Sequence, residues 1–137
     1  MWSLMDIDAF VKTLNIVHER CMENLRRMLS AGTVDLYRLI GAEVATPPYL
    51  GRESFARFVV PYEREMIDLI HSAGKMARVH SHGKIGTVLD LIVGTGTDGL
   101  DPCEESPDGD VPLSYVKECV GDKLCIFGSI QLKLLEH

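Results

Sequence analysis

The chain has 137 residues, 46% hydrophobic and 25% charged, the balance of an ordinary globular protein and a length that holds one domain. Its 14 basic and 20 acidic residues leave a net charge of -6, which argues against a nucleic-acid groove or binding to an anionic membrane surface. No apolar run is long enough to span a bilayer, and Asp6 and Asp8 stand where a signal peptide needs basic residues, so a soluble cytoplasmic protein is expected.

Asp6 to Ala31 reads as a long amphipathic helix. Ile7, Phe10, Val11, Leu14, Val17, Cys21, Leu25 and Met28 recur at helical spacing, and Gly32 is its natural stop. Val34 to Ile40 reads as a strand, interrupted by Asp35 and Arg38. Gly41 to Arg52 is a loop holding Pro47-Pro48, and Glu53 to Val60 a short helical segment. Pro61 either kinks that segment or opens a new helix running to Ala73, which Gly74 ends. Met76 to Val79 is the next strand. Lys84 to Val93 reads as a helix with Ile85, Val88, Leu89 and Ile92 on one face. Asp98 to Asp101 is a short strand, Pro102 to Val111 a polar loop, Pro112 to Val120 a helix and Lys123 to Phe127 a strand. The final residues look helical.

Strands alternating with helices of this length imply βαβ units, a parallel sheet and helices outside it. The residues just beyond each strand then share one rim, the end that carries the chemistry in barrels and open α/β sheets. The first strand is followed by Glu43, Thr46 and Tyr49, and the second by His80 and His82. The third leads into Asp101, Cys103, Glu104 and Glu105, and the fourth into Gly128, Ser129 and Gln131.

His80-Ser81-His82-Gly83 is the most informative stretch. Side chains two apart on a strand point the same way, so both imidazoles are expected on one face at the strand's end. Such a pair can ligate a soft metal, and one ring alone can act as a general base. With Cys103 it would make a mixed nitrogen–sulfur zinc set, Glu104 substituting for the thiol or orienting a ligand. Without metal, Asp101, Glu104 and a histidine suffice to move protons. Tyr49 could stack on a ligand. The plainer reading is a polar turn whose histidines hydrogen-bond backbone. Four cysteines form no C-x-x-C pair, so free thiols are expected, with Cys21, Cys119 and Cys125 as core packing. Gly94-Thr95-Gly96-Thr97 precedes a strand instead of joining strand to helix, so it reads as a helix terminator and not a phosphate loop.

An ordered series along nearly the whole chain resembles the uroporphyrinogen decarboxylase superfamily. It includes Gly41-Ala42-Glu43, Phe55, Phe58, Pro61-Tyr62, Ile70-His71, His80-Ser81-His82-Gly83, Leu89-Asp90, Gly96-Thr97-Asp98-Gly99-Leu100, Lys117, Gly121-Asp122-Lys123 and Gly128-Ser129-Ile130. The resemblance implies an α/β fold, part of a (β/α)8 TIM barrel with about four of its strands, in a chain that is partial. It also implies porphyrinogen decarboxylation or methyl transfer between a corrinoid protein and a thiol.

The methyltransferases of this superfamily carry His-x-Cys-Gly, whose His and Cys bind zinc. His80 matches that His, whereas His82 stands in place of the Cys, which raises the site charge by one unit. Ser129 replaces the family's usual Asn. Decarboxylases generally lack a histidine pair here, so the match leans to methyl transfer.

The expectations are therefore these. Zinc would be held by His80, His82 and Cys103, with Asp101 and Glu104 as catalytic groups and Tyr49, Gly128 and Gln131 as binding groups. The substrate would be a small molecule or the donor a corrinoid protein, with no nucleic acid or membrane involved. The alternative is uroporphyrinogen decarboxylation, with no metal and with cationic groups for the carboxylate side chains. This segment supplies few such cations, its basic residues being scattered. A third reading is a non-catalytic fragment. Half a barrel exposes two sheet edges and an apolar interior, so it would self-associate or recruit the missing half.

Overall fold

The computed structural model describes residues 6–129, and the chain divides after Asp35 into two compact units. The first is helix α1, Ile7–Ala31. Asp6 caps it by accepting from the Ala9 N–H at 2.9 Å, and Gly32 closes it in the left-handed conformation. The buried side of α1 includes Met22 and Leu25. Cys21 is exposed, which corrects its expected place in a core: it lies one position off that stripe.

The second unit alternates strand and helix. Strand β1, Leu36–Ile40, leads through a 3₁₀ turn, Ala42–Ala45, to helices α2, Arg52–Phe58, and α3, Val60–Ser72. Strand β2, Met76–His80, is followed by α4, Leu89–Gly94. Then come β3, Gly99–Asp101, α5, Leu113–Val120, and β4, Cys125–Ile126. Pro61 opens α3, where its missing N–H costs nothing. Helix α4 is much shorter than the expected Lys84–Val93. Ile85 and Val88 are buried as expected, but the backbone there makes three-residue turns, and the Gly86 N–H donates to the Asp110 carboxylate at 2.9 Å. Strand β4 is also shorter than expected, because Lys123 and Leu124 turn back onto the Val120 carbonyl.

All four strands are parallel and lie in the order β1-β2-β3-β4. A doubly wound sheet reverses its order; an unbroken order with right-handed crossovers puts every helix on one face, as in a barrel wall. Burial follows that rule. Tyr37, Leu39, Ala77, Val79 and Leu100 are buried, and the core also holds Phe55, Ile67, Ile70, Ile85, Ile92 and Val116. The alternate positions form the other face. Leu36 pairs with Met76, Arg38 with Arg78, and Ile40 with His80, so each rank projects the same way. Here Ile40 is 68% and Met76 51% exposed. Cys125 pairs with Gly99 on this open side and is exposed, as is Cys119; neither is core packing.

Candidate functional site at the strand ends

The loops after β1, β2 and β3 meet in a cleft of about 470 Å³. Glu43, Thr46, Tyr49, His82, Lys84 and Glu104 line it, so three of the four expected sets share one rim. The wall from β1 is held internally: the Glu43 carboxylate accepts from the Gly41 N–H, and the buried Thr46 hydroxyl donates to the Glu43 carbonyl at 2.8 Å. Glu104 ties the other two loops together. One of its oxygens lies 3.1 Å from His82 Nδ1, and the other accepts from the Gly83 N–H at 2.9 Å. Gly83 has φ 82°, a conformation that favours glycine, and this aims its N–H at the carboxylate. The loop from Pro102 to Val111 curls back so closely that a Cβ on Gly109 would collide with the Glu104 backbone.

Beside the cleft, Asp101 is a charge hub. Its Oδ2 lies 2.7 Å from His80 Nδ1 and 3.6 Å from Arg38 Nη2. Its Oδ1 lies 2.9 Å from Arg78 Nε, close enough for an ion pair though misaligned for a hydrogen bond. Arg38 Nη2 also sits 2.6 Å from the same His80 nitrogen. One nitrogen cannot serve both neighbours: protonated, it donates to Asp101; unprotonated, it accepts from Arg38. The guanidinium of Arg78 lies 4.7 Å over the Phe127 ring, and Phe127 fills the space where Gly99 has no side chain. The two imidazoles meet edge to face with centroids 4.5 Å apart.

His80, His82, Asp101 and Glu104 lie together at the strand ends, and Tyr49 lines the cleft with His82 and Glu104. Cys103 does not. It is fully buried, and burial followed by the Asp101 charge pushes its thiol up to about 11, so it stays protonated and away from the rim. Gly128 borders a different depression, beside α5, and Gln131 lies outside the described residues. Among the described residues, no three His, Cys, Asp or Glu side chains are grouped as a metal would need. By donor type the two adjacent imidazoles suit zinc, whereas the expected set with Cys103 does not assemble.

Sequence reasoning missed the arginines. Arg38 and Arg78 look scattered in the chain, yet strand register makes them neighbours. The available signal was a cation at the middle of each of two apolar strands. It also missed Glu63, a buried carboxylate on α3 with one unpartnered oxygen. Burial, and then the nearby Glu43 charge, raises it to about 7.

A parallel sheet in unbroken order, with polar strand ends opening on one cleft, defines a segment of a (β/α)8 barrel. The model of one family, uroporphyrinogen decarboxylase (URO-D), matches residues 1–136. The chain belongs to that family. Its fold is similar to that of a methyltransferase from Methanosarcina mazei, with a TM-score of 0.76 and 22% identity. The likeness covers 94% of this chain and 36% of that one, so the chain spans about a third of that structure's length. No curated protein matches the chain's sequence.

Proposed function

We propose that this chain supplies part of the active-site rim of a methyltransferase, in which zinc assists methyl transfer from a corrinoid donor to a thiol-type acceptor. The carrying observation is the pair of carboxylate-backed imidazoles: Asp101 faces His80 Nδ1 and Glu104 faces His82 Nδ1. Metal-bound histidines are nearly always oriented through their other ring nitrogen in this way, which leaves Nε2 for the metal. His80 and His82 would hold the ion, with further ligands from outside this pair. Zinc bound there would lower the pKa of a coordinated thiol so that it reacts as thiolate. Asp101 and Glu104 orient the rings, and a proton on the Nδ1 that faces each carboxylate leaves Nε2 for the ion, while Tyr49 and Lys84 offer the cleft wall to substrate. The structural likeness to a methyltransferase supports the reading.

Equilibrium dialysis against zinc, followed by elemental analysis, tests it. The chain is expected to retain zinc, and His80→Ala and His82→Ala each to lose most of it. Retention no greater than that of the double variant refutes the proposal.

One observation favours a second reading, decarboxylation of uroporphyrinogen. The rank of Arg38 and Arg78 supplies cations suited to carboxylate side chains. Forming coproporphyrinogen from uroporphyrinogen, without need of a methyl donor, would distinguish it.

A further inference from the structure

We propose that Arg38 and Arg78 form a binding pair for an oxyanion group of the ligand, and that an oxyanion seated there draws Arg38 off His80. The inference rests on His80 being functional, but not on which of the two reactions the enzyme performs.

The two arginines stand in register on neighbouring parallel strands and project from the same open face. Among the described residues the hub sets one carboxylate, Asp101, against their two positive charges, so a net positive charge is left for a ligand. This occurs in a chain whose overall charge is -6, so the local surplus is not a by-product of composition. The planar guanidinium fork matches carboxylate and phosphate oxygens, which share the recognition chemistry. Arg78 is braced by Phe127 below it and by Asp101 at its side. Arg38 is less committed: its side chain is 45% exposed, and the nearest atom its guanidinium meets is a ring nitrogen of His80, not a carboxylate. Apolar Leu36, Met76 and Ile40 flank the pair along the strands, so the guanidiniums are the polar groups of this stretch of the open face.

The contact with His80 gives the site a consequence. While Arg38 donates to Nδ1, that nitrogen must lack a proton, so a neutral ring carries its proton on Nε2. In that tautomer Nε2 is occupied by its proton, and Arg38 has to yield Nδ1 before Nε2 can take up a proton or a metal. An oxyanion is a better acceptor for Arg38 than the imidazole is. Once Arg38 turns to it, Nδ1–H donates to Asp101, already at 2.7 Å, and the Nε2 lone pair is freed. The proton moves from Nε2 to Nδ1 through solvent, so no charge is gained or lost by the ring. Ligand binding thereby readies His80 in the form that the chemistry needs.

Nitrogen-15 spectra of the His80 ring in the labelled chain test this at about pH 8, where an ordinary imidazole is neutral. The chain is titrated with sodium acetate and, separately, with sodium phosphate, with sodium chloride holding the ionic strength. The expected result is a saturable exchange of the protonated nitrogen from Nε2 to Nδ1. A response to acetate alone assigns the pair to carboxylate ligands, and a response to phosphate alone to phosphorylated ones. Arg38→Gln is expected to show the Nδ1-protonated ring without any anion. Arg78→Gln is expected to weaken the anion response by about tenfold and leave the starting tautomer unchanged. If neither anion nor Arg38→Gln alters the His80 nitrogens, the proposal is overturned; should Arg38→Gln fail to fold, the wild-type titration decides alone. A chain that retains no zinc but shows the exchange refutes the metal reading and keeps this one. A chain that retains zinc but shows no exchange does the reverse.

Discussion

Glu63 keeps its proton in the folded chain up to about pH 7, against 4.5 for an unperturbed glutamate, because burial and then Glu43 penalise its charged form. Between those values the folded state binds a proton that the unfolded state has released. Stability therefore falls as pH rises through that window, by at most about 3 kcal/mol. Glu63→Gln is expected to flatten this dependence: its urea midpoint should stay level between about pH 5 and about pH 8, and should exceed the wild-type midpoint at the upper end. Asp101 acts in the opposite sense, as the negative charge between Arg38, Arg78 and His80. Asp101→Asn leaves two neighbouring guanidiniums without their shared counter-charge. Urea denaturation is expected to register a loss of about 2 kcal/mol, below the cost of breaking a fully buried pair because Arg38 meets solvent.

At the scale of elements, the loop after β3 is what converts two separate strand ends into one wall. Val111 and Gly109 fold its backbone back on itself by donating to the Glu104 and Glu105 carbonyls, and Glu104 then reaches His82 and Gly83. Gly109→Ala would drive a methyl group into the Glu104 backbone. A cost of about 2 kcal/mol is expected, together with faster hydrogen exchange at the Gly83 amide, which loses its carboxylate acceptor. The helical pattern over Lys84–Val93 explains why this region is hard to read locally. Ile85, Val88, Leu89 and Ile92 are buried as periodicity demands, but only Leu89–Gly94 is α-helical. The apolar spacing reports which side chains face the core. It does not report that Asp110, distant in sequence, captures the Gly86 N–H.

At the scale of the whole molecule, the open sheet face sets behaviour in solution. Parallel sheets are normally covered on both faces, yet Leu36, Ile40 and Met76 stay exposed here. Concentration-dependent self-association is expected in sedimentation velocity, and an Ile40→Lys, Met76→Lys double variant is expected to shift it towards monomer. A wild-type chain that stays monomeric at high concentration would contradict that. The sequence by itself determined the alternation of strands and helices, the rim positions that follow each strand, and the pairing of His80 with His82, because periodicity, turn residues and two-residue strand spacing are local properties. Only the tertiary structure decided that Arg38 stands beside Arg78 and against His80, that Asp101 serves all three, and that Cys103 and Glu63 are buried. Those facts depend on register between strands and on packing between segments far apart in the chain, which no local pattern encodes.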